Sequence, residues 1–175
     1  MKAFTGAPLP RPRVDALLDL ARWAPTHRLH QPWRFTALDQ AGIASLRDFL
    51  AANPAIGNWP DPAKGPAKLA KLIGRLPTLG ALVQVTWKRH ADPVVDLEDH
   101  AAAAAAVQNV LLGAEADGLA AYWSSSAALR HVETLRWFGI DPEAEGFLGC
   151  LWLGTAAETP EPPPRRSLDE VRTWR

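Results

Sequence analysis

Val14, Leu17, Leu18 and Ala21 recur at i, i+3, i+4 and i+7 within Pro10–Trp23, the repeat of a helix with one apolar face. Pro12 suits its first turn. Pro25 ends it, because proline disfavours helical geometry in the residue before it. Beyond Pro32, Trp33–Leu38 reads as a strand, so a polar loop of Thr26, His27, Arg28, His30 and Gln31 hangs between two rigid elements, the usual mounting for binding groups. Ile43, Leu46, Phe49 and Leu50 mark a second helix over Ala41–Ala52. Residues 53–66 hold four prolines and two glycines and read as a surface loop or flap. Leu69, Leu72 and Ile73 give a short helix over Lys64–Arg75. The apolar, β-branched run Ala81–Trp87 is the clearest strand.

Val95–Asp117 is the longest helix, about 20 residues and roughly 30 Å, and Gly118 is placed as its C-cap. Leu119–Ser124 predicts a strand, Ala127–Phe138 a single helix, and Phe147–Leu153 a buried strand ending at Gly154. Residues 156–175 form an extended tail, with Ser167-Leu-Asp-Glu as a short capped turn. Strands mixed with helices predict one α+β layered domain over residues 1–175. Alanines 101–106 remove bulk from the long helix, as in a central packed helix or a subunit contact.

Lys plus Arg and Asp plus Glu both number 19, so nothing draws the chain to nucleic acid or to anionic lipid. No apolar run reaches the roughly 20 residues of a membrane span, and residues 1–6 lack the core of a signal peptide. A cytoplasmic protein is expected. The single cysteine, Cys150, excludes an intrachain disulfide and, in its apolar strand, reads as an inert buried thiol. His27 and His30 alone do not make a zinc site, so no metal is expected. Phosphate-loop, dinucleotide, zinc-protease and serine-elbow motifs are missing, so redox or group chemistry needs a carried cofactor. Eight tryptophans are core and interface filler, or the wall of a site for a flat aromatic ligand.

Three motifs carry a resemblance. Ala24-Pro25-Thr26-His27 with Gln31-Pro32-Trp33-Arg34-Phe35 resembles the Ala-Pro-Ser/Asp…Gln-Pro-Trp-x-Phe signature of the nitroreductase family of FMN flavoproteins. The helix Ala101–Asp117 followed by Gly118–Trp123 is similar to that family's central helix and the strand after it. Gly146–Gly154 and a proline-rich tail with Arg165 and Arg166 complete the order, which looks like the short bacterial subgroup.

The resemblance implies a three-layer α/β/α sandwich with a mostly antiparallel sheet, working as a homodimer with two FMN sites, each lined by both chains. It implies NAD(P)H as donor and ping-pong hydride transfer to nitroaromatic, quinone or similar small aromatic acceptors. By position it sets Pro25, Thr26 and His27 against the flavin, Gln31 behind them, and Tyr122, Trp123, Ser124 and Ser125 past the isoalloxazine. Arg165 or Arg166 would meet the phosphate through a forked contact; both also read as solvated charges, with Arg28 and Arg34 as substitutes. Trp123 is either core or flavin neighbour, and Trp33 reads as core. Segment 53–80, expected to be a flexible, proline-rich cap or flap, falls where the family caps its active site and sets specificity.

The family's opening helix ends in Arg-Arg-Ser, which grips the phosphate. Met1-Lys2-Ala3-Phe4 aligns just after it, so the chain reads as N-terminally truncated, with Lys2 as the remnant. Trp23 and Ser124 also stand where the subgroup often carries basic residues. Each lost contact to the phosphate removes roughly 1.5–3 kcal/mol. Two alternatives follow: a degenerate dimer with weak or no FMN binding and a non-enzymatic role, or another flavin reaction such as dehalogenation or flavin fragmentation.

Overall fold

The computed structural model describes residues 3–158 and 161–175. Four strands form one antiparallel sheet: β1 (Trp33–Leu38), β2 (Ala81–Lys88), β3 (Ala120–Ser124) and β4 (Glu145–Gly154), in the spatial order β1-β2-β4-β3. β2 and β4 are the central pair, and their near-continuous apolar runs are buried on both faces. Alternation along the strands sends Val83, Val85, Leu151 and Leu153 into one core, and Leu82, Cys150 and Trp152 into the other.

The first core is closed by α1 (Arg11–Ala21) and α4 (Pro93–Ala116). The second is closed by α2 (Gln40–Ala52), α3 (Gly65–Arg75), α5 (Ala127–Arg130) and α6 (Val132–Trp137). The result is the expected three-layer α/β/α sandwich. Leu46, Leu50, Leu76, Leu79 and Leu129 are fully buried in the second core, each worth about 1.5–3 kcal/mol relative to exposure.

α4 starts where Asp92 accepts a hydrogen bond from the Val94 amide at 2.8 Å, and it ends at Gly118, whose φ of +68° suits a C-cap. Its alanines bury one side: Ala102, Ala103, Ala106 and Ala114 pack with Val107 and Val110. Small residues let α1 lie close: a Cβ on Gly113 would meet Leu20 Cδ1 on α1 at 2.1 Å, so the Leu20 side chain would have to turn aside. The opposite side leaves Val94, Leu97 and Leu112 exposed.

Two details depart from the expected elements. The single helix over Ala127–Phe138 is two short ones, parted at His131, whose backbone is extended (φ −61°, ψ 140°). The imidazole Nδ1 of His131 accepts from the Glu133 amide at 3.3 Å and so opens α6 as its N-cap. β4 also bulges: Val85 pairs with Gly149 and Thr86 with Phe147, leaving Leu148 without a partner. The extra residue switches the alternation, so Leu148 faces the α1–α4 core and Phe147 the other.

Segment 53–80 is anchored to the second core by its apolar residues. A 3-10 turn at Pro54–Asn58, α3 and a second turn at Leu76–Thr78 set Ile56, Leu69, Leu72, Leu76 and Leu79 into the second core.

Candidate functional site

The start of β1, the end of β2 and the start of β4 meet at one end of the sheet, where Trp33 pairs with Trp87 and Trp87 with Gly146. β3 finishes toward the same end, with Ser124 opposite Cys150. Two groups of sequence-predicted residues are mounted here, on opposite edges of the sheet.

The first is the loop before β1. Arg28, Leu29 and Gln31 all have positive φ (45°, 57° and 47°), a conformation costing roughly 1–2 kcal/mol per L-residue. Surrounding contacts hold it in place. The Gln31 amide donates to Thr26 Oγ1 at 3.1 Å, and the Arg34 guanidinium donates to the carbonyls of Gln31 and Trp33. His30 Nδ1 lies 3.1 Å from Asp99 Oδ1, and His27 Nδ1 lies 3.5 Å from Glu98 Oε2, both acids on α4. The clamp keeps Pro25, His27, Leu29 and Gln31 exposed. Trp33, beneath them, is buried as expected.

The second group is the end of β3. Alternation turns Tyr122 and Ser124 toward a cavity of about 430 Å³ between residues 56–61, α3 and residues 122–128, with Trp152 in its wall. That volume suits a small-molecule site. Trp123 points to the other face: its indole N–H donates to the Leu148 carbonyl at 3.2 Å, and it covers Gly149, where a Cβ would lie 2.2 Å from Trp123 Nε1. Trp123 is 37 % exposed, so it is not core. The Ser124, Ser125 and Ser126 hydroxyls make no hydrogen bond among the described residues. The buried indole N–H of Trp152 is likewise an unspent donor in the cavity wall.

Sequence reasoning overlooked the α3 side. Lys68, Lys71 and Arg75, at i, i+3 and i+7, line the cavity while Leu69 and Leu72 face inward. The signal was present as three cations on one flank of an amphipathic helix. None has an ion-pair partner among the described residues. Trp59 forms the rim, with the Arg130 guanidinium 5.0 Å from its ring centre and the His131 ring edge-on at 5.9 Å. A hollow of about 600 Å³ beside β1 is different, because its Arg11 is already paired with Asp39 at 2.6 Å.

Arg165 and Arg166 lie in an exposed tail, do not line the cavity beside β3, and have no ion-pair partner among the described residues. Lys2 lies outside the described residues. Cys150 is fully buried; its thiol donates to Gln84 Oε1 at 2.6 Å, and burial pushes its pKa far up, so it is no nucleophile. No cluster of three or more metal-ligating side chains occurs among the described residues, and no described helix is long and apolar enough to cross a membrane.

A three-layer sandwich with this strand order and a cavity at the end of its sheet defines a nitroreductase-like protein. The family model "Nitroreductase family" matches residues 1–155, and the chain belongs to that family. It is 29% identical over 162 residues to the Bacillus subtilis (strain 168) protein named "Putative NAD(P)H nitroreductase YfhC", covering 92% of this chain and 81% of that one. Among solved structures it superposes on a nitroreductase-like family protein from Bacillus cereus with a TM-score of 0.85 at 22% identity, covering 99% and 89% of the two chains. The FMN and NADPH-dependent nitroreductase NfnB from Sphigopyxis sp. strain HMH matches with a TM-score of 0.77 at 22% identity, covering 99% and 93%. At these identities the structural matches establish the fold.

Proposed function

We propose that the chain is an FMN-dependent oxidoreductase, a homodimer that takes electrons from NAD(P)H and passes them to nitroaromatic, quinone or similar small aromatic acceptors. The observation that carries this reading is the separation of two ligand-ready groups, the 25–31 loop at β1 and the Tyr122–Ser125 strand end at β3, on opposite edges of one sheet. Two copies that face each other can supply one group each to a shared cleft. The exposed residues Val94, Leu97 and Leu112 on α4 offer an apolar face for that pairing, and Trp23, just beyond α1 in the same layer, is 81 % exposed. The tail, with Val171 and Trp174 exposed, has apolar side chains to lay on a neighbour.

The donor set fits a flavin. Unspent serine hydroxyls and strand-end backbone groups suit the polar edge of the ring, and Arg165 and Arg166 suit a phosphate. When bound, FMN supplies two-electron chemistry: hydride acceptance from the nicotinamide and reduction of an acceptor. The chain's share is to bind and orient the reactants. Pro25, Thr26 and His27 present a rigid edge because the loop is clamped through His30 and Asp99. Ser124 and Ser125 offer hydrogen bonds, the strand end at Tyr122 and Trp123 runs past the ring with its backbone groups, and segment 53–80 caps the site. The relatives named for NAD(P)H and FMN support the same cofactors here.

The test is to purify the protein and titrate it with FMN. A yellow protein that releases FMN on denaturation and oxidises NADPH or NADH with a nitroaromatic or quinone acceptor is expected. A protein that stays colourless with FMN in excess overturns the reading in favour of a flavin-free dimer.

A further inference from the structure

We infer that His30 and Asp99 are positioning residues for the flavin: their contact is a proton-sensitive latch that sets the shape of the 25–31 loop and, through it, the hold of this edge on the cofactor. This rests on the reading above and deepens it by naming what regulates that edge.

Three observations converge. Asp99 on α4 is 4 % exposed, and His30, 3.1 Å away, is its one hydrogen-bond or ion-pair partner among the described residues. A buried carboxylate left without a partner is costly. Next, Arg28, Leu29 and Gln31 occupy the left-handed region, which L-residues keep only where their surroundings hold them. Most hydrogen bonds of residues 26–31 run within the loop or to Arg34. Two contacts reach α4, and that of His27 with Glu98 is the longer, at 3.5 Å, and nearly half-exposed on both sides. The tie from loop to helix therefore rests mainly on His30. Lastly, His30 lies near-parallel to His90 at 6.3 Å and edge-on to His27 at 6.1 Å. His90 Nδ1 accepts the Asp92 amide at 3.0 Å, a bond only an unprotonated Nδ1 makes.

The charged and titratable groups around His30 are His27, Arg28 and Arg34 on the loop and β1, Arg89, His90 and Asp92 before α4, and Asp96, Glu98 and Asp99 on it. Arg89 is spent on Asp96 at 2.9 Å, which leaves Asp99 as the anion that His30 meets. A neutral imidazole with its proton on Nδ1 donates one hydrogen bond to Asp99. The imidazolium donates the same bond with a full charge, and charge-assisted bonds are roughly twice as strong. Imidazoles gain that charge between about pH 8 and 5, so the latch tightens as pH falls through that range.

The test titrates FMN, followed by its fluorescence, into the parent protein, into Asp99→Asn, and into His30→Ala combined with Asp99→Ala. The asparagine carbonyl still accepts from a neutral imidazole but forms no ion pair. Its Kd should lie within about threefold of the parent's at about pH 8.5, and be about tenfold or more weaker at about pH 5.5. The FMN phosphate titrates alike in both proteins, so the ratio isolates the latch. The double variant leaves no charge buried, and it should weaken FMN about tenfold or more at both pH values. Without flavin, amide hydrogen exchange over residues 26–31 should be about tenfold faster in the double variant than in the parent, with exchange in β2 unchanged.

An Asp99→Asn to parent ratio that is the same at both pH values overturns the proposal. So does a double variant with the parent's FMN affinity and the parent's loop exchange. The exchange measurement needs no cofactor. Faster loop exchange in a protein that binds no FMN keeps the latch while the oxidoreductase reading fails; unchanged exchange in such a protein sinks both.

Discussion

Asp96 shows how single side chains hold the site end of the sheet. Its carboxylate accepts from the Trp87 indole at 3.1 Å, from Arg89 Nε at 2.9 Å and from the His90 amide at 3.0 Å, tying the end of β2 to α4. Partial burial pushes its pKa up, but the bonds from Arg89, His90 and Trp87 outweigh this and hold it below the ordinary carboxylate value. A lowered folded pKa gives stability that is present above the unfolded value of about 3.9 and lost as pH falls through the folded one. Asp96→Asn should therefore lower the denaturant midpoint at pH 7 by an amount equivalent to about 1–3 kcal/mol. At pH 3 the gap between variant and parent should narrow, and an equal gap at both pH values would contradict the role given to the charge. His27 was legible in the sequence as a loop histidine; its pairing with Glu98, 71 positions away, was not, since no local pattern encodes it.

At the scale of elements, helix and strand periods were legible where one face is buried and the other wet, as in α1, α2 and β1. β2 and β4 were legible as unbroken apolar runs because both their faces are covered. The break at His131 was hidden because Ala127–Phe138 keeps an apolar repeat across it, and the N-cap depends on a rotamer of one imidazole. The bulge at Leu148 was hidden because a two-against-one pairing is a property of β2 and β4 together. For the same reason the split between Tyr122 and Trp123, one toward the cavity and the other over Gly149, needed the strand's orientation. α4 carries the prediction at this scale. Its inner side packs on α1, while Leu97 is 68 % exposed on a face that nothing among the described residues covers. Leu97→Glu should leave the monomer's thermal stability within about 0.5 kcal/mol, the range of surface substitutions, and shift the sedimentation profile from dimer to monomer. An unchanged dimer would place the contact elsewhere.

For the whole molecule, the central claim is that neither edge of the sheet makes a site alone. The resemblance implied this sharing, and the fold gives it a physical basis: β1 and β3 are separated by β2 and β4, with the clamped loop at one edge and the cavity at the other. Arg165 and Arg166 are exposed in the tail of one chain, and the proposed dimer is what would bring them to a phosphate. Subunit complementation measures this directly. Pro25→Asp should disable the loop edge and Ser124→Phe the β3 edge, each abolishing turnover as a pure dimer. After unfolding and refolding the two together in equal amounts, half of the dimers pair unlike chains, and each of these holds one intact site, about a quarter of all sites by random pairing. The account predicts recovery of NAD(P)H-dependent acceptor reduction to about that fraction. No recovery from a mixture in which mixed dimers are demonstrably formed would contradict it.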